Sequence, residues 1–215
     1  MISADIPNLA VNTPLWLALV TTVVGAVEGG ILGRDRSSGP FDVIGAGVFA
    51  LFLGLGGGFA RDTMLGNTPF VALRSPWYLV AVGVGLAIAM IAGHWIPVRS
   101  LAFVAIDALT VGLYAAVGTQ YALDFGVSWL GAMTVGMFAG LTGGVIVSLL
   151  RGERPMILRP GQPYAIIALA GVVLYVALAP IDGPIASIAA ITLVVVMRVL
   201  VVWRGWSTTA VRPLP

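Results

Sequence analysis

The sequence predicts an all-α integral membrane protein: seven transmembrane helices, built as two inverted three-helix repeats plus a seventh helix. Three observations carry this. Of the 215 residues, 59% are hydrophobic and only 9% charged, against about 25% charged in an average globular chain. Mean hydropathy is +1.04. A chain so poor in polar groups cannot coat a water-soluble body, which excludes an ordinary soluble enzyme, a disordered chain and a nucleic-acid-binding domain. The apolar stretches recur at lengths close to the roughly 20 residues that cross a hydrocarbon core. Finally, a pattern in the first half returns 86 residues later in the second. A single membrane domain, 1–215, follows, with no room for a soluble one.

The spans are expected at 14–32, 41–65, 77–97, 101–123, 127–150, 163–181 and 184–204. The first begins about Leu15; Asp5 and the lack of a basic segment before it argue for a permanent helix rather than a cleaved leader. Gly33–Pro40 reads as a polar turn before the second span. Ser75-Pro76, Gln162-Pro163 and Asp182-Gly183-Pro184 open the third, sixth and seventh, since proline suits a helix's first turn. Repeat one then covers about 14–97, repeat two about 101–181 and the seventh helix about 184–204. Glycine occurs 28 times, mostly inside spans, where small residues let helix backbones meet.

All 11 basic residues are arginine, and net charge is +2. In a membrane chain these are topology signals. Arg34, Arg36, Arg99, Arg151, Arg154, Arg159, Arg204 and Arg212 fall in connectors one-to-two, three-to-four and five-to-six and in the C-terminal tail. The opposite side has Arg74 beside Asp5, Asp124 and Asp182. The positive-inside rule therefore puts the N-terminus outside and the C-terminus in the cytoplasm. Trp16, Trp77, Trp95, Trp129, Trp203 and Trp206 all lie near span ends, as an aromatic belt requires. Cysteine is absent, so no disulfide or Cys metal site enters.

The repeat lays Gly54-Leu55-Gly56-Gly57-Gly58 over Gly140-Leu141-Thr142-Gly143-Gly144, Gly66 over Gly152, Pro69 over Pro155 and Tyr78 over Tyr164. With three spans per unit, an odd number, the copies enter the membrane in opposite directions, the plan of many transport proteins. Glycine costs about 1 kcal/mol relative to alanine inside a helix, so Gly56, Gly57 and Gly58, with Gly143 and Gly144, mark expected breaks near the midplane. Broken backbone at that depth must be packed in protein or line a wet cavity, where free carbonyls could replace an ion's hydration shell. The competing reading is tight packing of glycine-rich helices with no pathway.

Arg61-Asp62 follows the first glycine run, with Val147-Ser148 at the matching positions. Intramembrane charges face a cavity or one another, so the pair is either part of a pathway or a local structural pair. Glu28, Asp42 and Asp107 are the further buried-charge candidates. Asp107, about six residues into its span, is the best acidic group for a polar pathway, or else a partner for a neighbouring helix. His94 stands alone beside Trp95; a metal site needs more ligands. No nucleophile–base set, Walker loop or dinucleotide fingerprint occurs. No enzyme activity, cofactor or metal is expected.

Phe41–Pro69 (FDVIGAGVFALFLGLGGGFARDTMLGNTP) resembles the signature of the trimeric intracellular cation (TRIC) channels and their bacterial glycine-transporter-domain relatives. The hallmark Gly-Gly-Gly-x-x-Arg-Asp, then Leu-Gly and Pro, stands here as Gly56-Gly57-Gly58-Phe59-Ala60-Arg61-Asp62, Leu65-Gly66 and Pro69. Asp107-Ala108-Leu109 through Gly118-Thr119-Gln120-Tyr121-Ala122-Leu123 is similar to the opening of the family's second repeat. That second copy departs from the pattern, with Thr142 for glycine and Val147-Ser148 for Arg-Asp. The resemblance covers about 15–204. It implies a homotrimer with an hourglass pore in each protomer, helices one, two, four and five around it, and the second and fifth kinked at their glycines. Potassium, and more weakly sodium, would permeate, and the family's N-out, C-in topology agrees with the arginine count. The lysine motif by which animal members bind lipid has no counterpart in a chain without lysine.

The expected function is thus a passive monovalent-cation channel in a prokaryotic inner membrane, its pathway formed by Gly56, Gly57, Gly58, Arg61, Asp62, Asp107, Thr142, Gly143 and Gly144. Its partners would be potassium or sodium ions, membrane lipids and two further copies, with no nucleic acid. The alternatives are a secondary transporter of a small zwitterion such as glycine, its carboxylate held by helix-end N–H groups, and a lipid-scaffolding protein. Gly131, Gly136 and Gly140 could serve close packing between protomers or inside one.

Overall fold

The computed structural model describes residues 14–35, 41–158, 161 and 163–207. Asp5, Arg36, Arg159, Gln162 and Arg212, used above as topology or boundary signals, lie outside them. The described chain is helical: α1 (Leu15–Arg34), α2 (Val43–Leu65), the single turn α3 (Val71–Arg74), α4 (Trp77–Ala92), α5 (Leu101–Asp124), α6 (Trp129–Leu150), α7 (Tyr164–Leu178) and α8 (Gly183–Arg204). No strand occurs among the described residues. Six helices are long and apolar enough to cross a membrane, the fourth element counted with the 3-10 turn Gly93–Trp95 that extends it; α7, apolar but 15 residues long, is shorter. The expected span 163–181 therefore contracts, and α3, too short to show in a hydropathy window, was not anticipated.

Local chemistry sets the ends. Asp42 is not a buried charge: its Oδ1 accepts from the Gly45 N–H at 2.8 Å and starts α2. Ser100, Ser128 and Asp182 start α5, α6 and α8 in the same way, each satisfying an N–H that the first turn leaves unpaired. After α2 and α6 the chain turns through Gly66 and Gly152, at φ 65° and 70°, a left-handed conformation that side chains with a Cβ disfavour. Those two glycines are 86 residues apart, and the helix bounds keep the spacing: Val43–Leu65 shifted by 86 falls on 129–151, beside α6 at Trp129–Leu150.

Packing groups α1 with α2 and α4, and α5 with α6, α7 and α8; α2 meets α6 in the middle. Glycine makes these contacts close. A Cβ on Gly25 or Gly29 would strike the backbone of α2 at Leu53 or Phe49, and one on Gly136 or Gly140 would strike α5 at Ala115 or Val111. Gly136 and Gly140 are therefore used in contacts within the chain. Outward faces carry exposed apolar groups such as Ile91, Ile166 and Ile188, and the six tryptophans are all more than half exposed, as in a chain solvated by lipid.

The expected breaks do not interrupt the helices. α2 is helical through Gly56–Gly58 and α6 through Gly143 and Gly144. The physical reason is contact: a Cβ on Gly57 would meet the Ala139 carbonyl and the Tyr114 ring, and one on Gly143 would meet Phe52 and Leu53. Leu53 and Ala139 are themselves 86 residues apart, so α2 and α6 cross through two contacts that the shift exchanges. The weakness of glycine as a helix former is outweighed by the approach of another helix.

Candidate functional site

A cavity of ≈ 760 Å³ opens among the ends of α1, α5 and α6 and the turn after α4, with Arg34, His94, Arg99 and Arg151 among its lining residues. Glu28, Asp107, Tyr164 and Arg198 line it as well. The first, second and third of these also line a void of ≈ 10 Å³ that includes Gly57, Thr110, Tyr114, Gly143 and Gly144. A third void of ≈ 20 Å³ is lined by Thr21, Thr22, Gly58, Arg61, Tyr78 and Tyr114. Tyr114 lines both small voids. Its hydroxyl donates to the Gly54 carbonyl of α2, so this side chain separates the two.

Asp107 is 6% exposed and doubly held. The Tyr164 hydroxyl donates to its Oδ1 at 2.9 Å and Arg198 Nη2 to its Oδ2 at 2.8 Å. The Arg198 guanidinium also lies 4.2 Å from the centroid of the Tyr164 ring, a cation–π geometry. Of the two readings of Asp107, the partner for a neighbouring helix is what the contacts give, although the residue still lines the cavity. Arg198 was not singled out by the sequence reasoning. A lone arginine within the apolar run Ile185–Trp203 was the signal that could have found it, because such a charge in lipid must have a partner.

Arg61 and Asp62 form the local pair. Arg61 Nε donates to Asp62 Oδ1 at 2.8 Å, and Nη2 lies 2.7 Å from the same oxygen. Asp62 Oδ2 accepts from the Val71 N–H at 2.8 Å, which fixes the start of α3. The guanidinium sits 4.0 Å from the Tyr121 ring centroid. This cluster borders the third void and is separate from Asp107. Opposite, Arg151 ties α6 to the end of α1 through the Leu32 carbonyl and Asp35, both at 2.7 Å, and binds Glu153 at 2.9 Å.

The nominated residues thus divide. Gly57, Asp107, Gly143 and Gly144 line the 10 Å³ void; Gly58 and Arg61 line the 20 Å³ one. Gly56 packs toward Gly143, Asp62 is enclosed by its partners, and Thr142 turns its hydroxyl to the Phe138 carbonyl at 2.6 Å and lines none of the three. Glu28, Tyr114, Tyr164 and Arg198 complete the interior. Of the buried charges, Arg61 pairs with Asp62 and Arg198 with Asp107, and Glu28 lies beside Asp107 with its Oε2 unpartnered among the described residues.

Apolar faces turned to lipid and ionisable groups turned to an internal cavity define a polytopic α-helical integral membrane protein. The family model described as glycine transporter matches residues 12–94 and again 104–180. The chain belongs to this family of membrane proteins and shares the fold of the TRIC channels. It is 32% identical to a UPF0126 membrane protein of Deinococcus radiodurans, over 93% of this chain and 92% of the relative. The UPF0126 inner membrane protein YadS of Escherichia coli is 30% identical, over 67% of this chain and 69% of the relative. Among solved structures, the TRIC trimeric intracellular cation channel orthologue from Rhodobacter sphaeroides superposes with a TM-score of 0.78 at 27% identity, over 88% of this chain and 97% of that one. A structure solved for conductance through TRIC cation channels superposes at 0.76 over 94% and 99%, with 24% identity, a likeness of fold.

Proposed function

We propose that this protein is a passive cation channel, with potassium the principal ion and one pathway inside each protomer of a homotrimer. The observation that carries it is the run of three voids through α1, α2, α5 and α6, with the buried carboxyl of Glu28, its Oε2 without a hydrogen-bond partner among the described residues, where the first two meet. Likeness to cation channels of known structure supports the same reading. The pathway residues are Gly57, Gly58, Arg61, Asp107, Gly143 and Gly144, joined by Glu28 and Tyr114. The closed contact of Tyr114 with α2 makes it the constriction. Two inverted repeats, 14–97 and 101–181, are supported by the helix bounds recurring at one spacing and by the family model matching twice. The N-terminus lies outside, the C-terminus in the cytoplasm, and the protein sits among the lipids of a prokaryotic inner membrane.

A second reading, a transporter of a small zwitterion such as glycine, draws on the size of the 760 Å³ cavity, with arginines and Glu28 among its lining residues. Reconstitution in planar bilayers separates the two. Unitary potassium currents are expected from the channel; saturable glycine uptake into liposomes without unitary currents would replace it with the transporter.

A further inference from the structure

We infer that Glu28 is the carboxylate of a binding site for one dehydrated monovalent cation, seated in the 10 Å³ void between Glu28, Thr110, Tyr114 and Tyr164; the site deepens the channel reading and rests on it.

Glu28 is 3% exposed; its carboxyl lies within hydrogen-bond reach of Thr110 and Asp107, while its Oε2 is buried with no hydrogen-bond partner among the described residues. A buried carboxylate in that condition is costly, and the deficit is removed by a positive charge. Asp107 cannot fill this role, because Arg198 and Tyr164 already occupy its oxygens. The hydroxyls that border the void have donor contacts elsewhere, Thr110 while also lying beside the Glu28 carboxyl. Thr110 donates to the Ile106 carbonyl at 3.0 Å, Tyr114 to the Gly54 carbonyl and Tyr164 to Asp107. Each is left an acceptor. Arg198 does not line this void, and none of the side chains that do is a cationic donor. An environment of oxygen acceptors around a surplus carboxylate suits a cation and repels an anion.

Size and charge narrow the class. A volume of ≈ 10 Å³ is about that of one water-sized probe, so a bare monovalent ion fits and an amino acid stays in the outer cavity. Among the described residues, Arg198 is the one cation set against the neighbouring carboxyls of Asp107 and Glu28, so the group is short of a single positive charge, which matches a monovalent ion. Divalent ions draw on more oxygen charge, calcium taking six to eight ligands in roughly spherical arrays.

The test is equilibrium binding of ⁸⁶Rb⁺ to the full-length protein in lipid nanodiscs at constant ionic strength, with N-methylglucamine as replacement cation. Saturable binding of one Rb⁺ per protomer is expected, weakened at least about tenfold by Glu28→Gln. Thr110→Val, which keeps shape and removes one acceptor, should weaken it less, and it decides the matter if Glu28→Gln fails to fold. No saturable Rb⁺ binding, or affinity unchanged in these variants, overturns the site. Bilayer currents separate this from the channel reading: conduction with no Glu28-dependent Rb⁺ binding leaves the channel without this site. Glu28-dependent Rb⁺ binding without conduction leaves the site without the channel.

Discussion

Arg198 of α8 reaches across the bundle to Asp107 of α5, Nη2 to Oδ2 at 2.8 Å, from a position 91 residues further along the chain. Both are buried, at 2% and 6% exposure, so each is the other's answer to the membrane interior. Arg198→Ala should destabilise the protein by about 3–5 kcal/mol by leaving an uncompensated buried carboxylate. Adding Asp107→Asn should recover a large part of that loss. Thermal unfolding of the single and double variants in detergent checks this; purely additive losses would show that the pair is not coupled.

Tyr114 lines both small voids, held between them by a hydrogen bond to the Gly54 carbonyl. Tyr114→Phe removes the donation to the Gly54 carbonyl, and such a bond is worth about 0.5–1.5 kcal/mol. Thallium flux into proteoliposomes should rise by roughly two- to tenfold on that account. Tyr114→Ala should raise it further. Flux unchanged in both would place the constriction elsewhere.

Neighbouring glycines should respond differently. A Cβ on Gly57 would meet the Ala139 carbonyl and the Tyr114 ring, whereas nothing lies within 4 Å of one on Gly58. Gly57→Ala is expected to cost about 1–3 kcal/mol through overpacking. Gly58→Leu should fold with normal stability yet lower flux, because its side chain enters the third void. Ile188→Ala, on an exposed face of α8, is the control that leaves flux alone.

The orientation can be read with cysteine labelling, since the chain has no cysteine of its own. Ile181 and Leu158 are 79% and 73% exposed in connectors on opposite sides of α7. With a membrane-impermeant maleimide, Ile181→Cys should label in intact cells and Leu158→Cys only after lysis. The reverse pattern would invert the topology.

Hydropathy made the long spans legible because lipid leaves a helix nowhere else to hide its backbone groups. Hydropathy placed the limits of α2 and α6 within two residues, at 41–65 and 127–150, although it left Asp42 as a buried-charge candidate where the structure makes it the cap of α2. The interior was read less well. A glycine run means a weak helix or a close crossing, and only Ala139 and Tyr114, far away in sequence, decide that at Gly57 it is the crossing. Arg61-Asp62 could be seen as a pair because the residues are adjacent; Asp107–Arg198 could not. Tyr114 carried no signal of its own, although the 86-residue shift places it over Glu28: a phenol in one half stands where the other half has its carboxylate.

The distance in sequence between Asp107 and Arg198 also imposes an order on biogenesis. Ribosomes extend a chain by about 5–20 residues per second, so α5 enters the bilayer some seconds before α8 has been made. Through that interval Asp107 sits in the half-built bundle with no counter-charge. Insertion of α8 is therefore the step that gives Asp107 its counter-charge, and a chain stopped before Arg198 differs from one that contains it by a single unpaired buried charge. A chain ending at Val196 should be cleared rapidly by membrane proteases in pulse-chase labelling, and the same truncation carrying Asp107→Asn should persist longer. Docking of α8 then acts as a check that synthesis has passed Arg198.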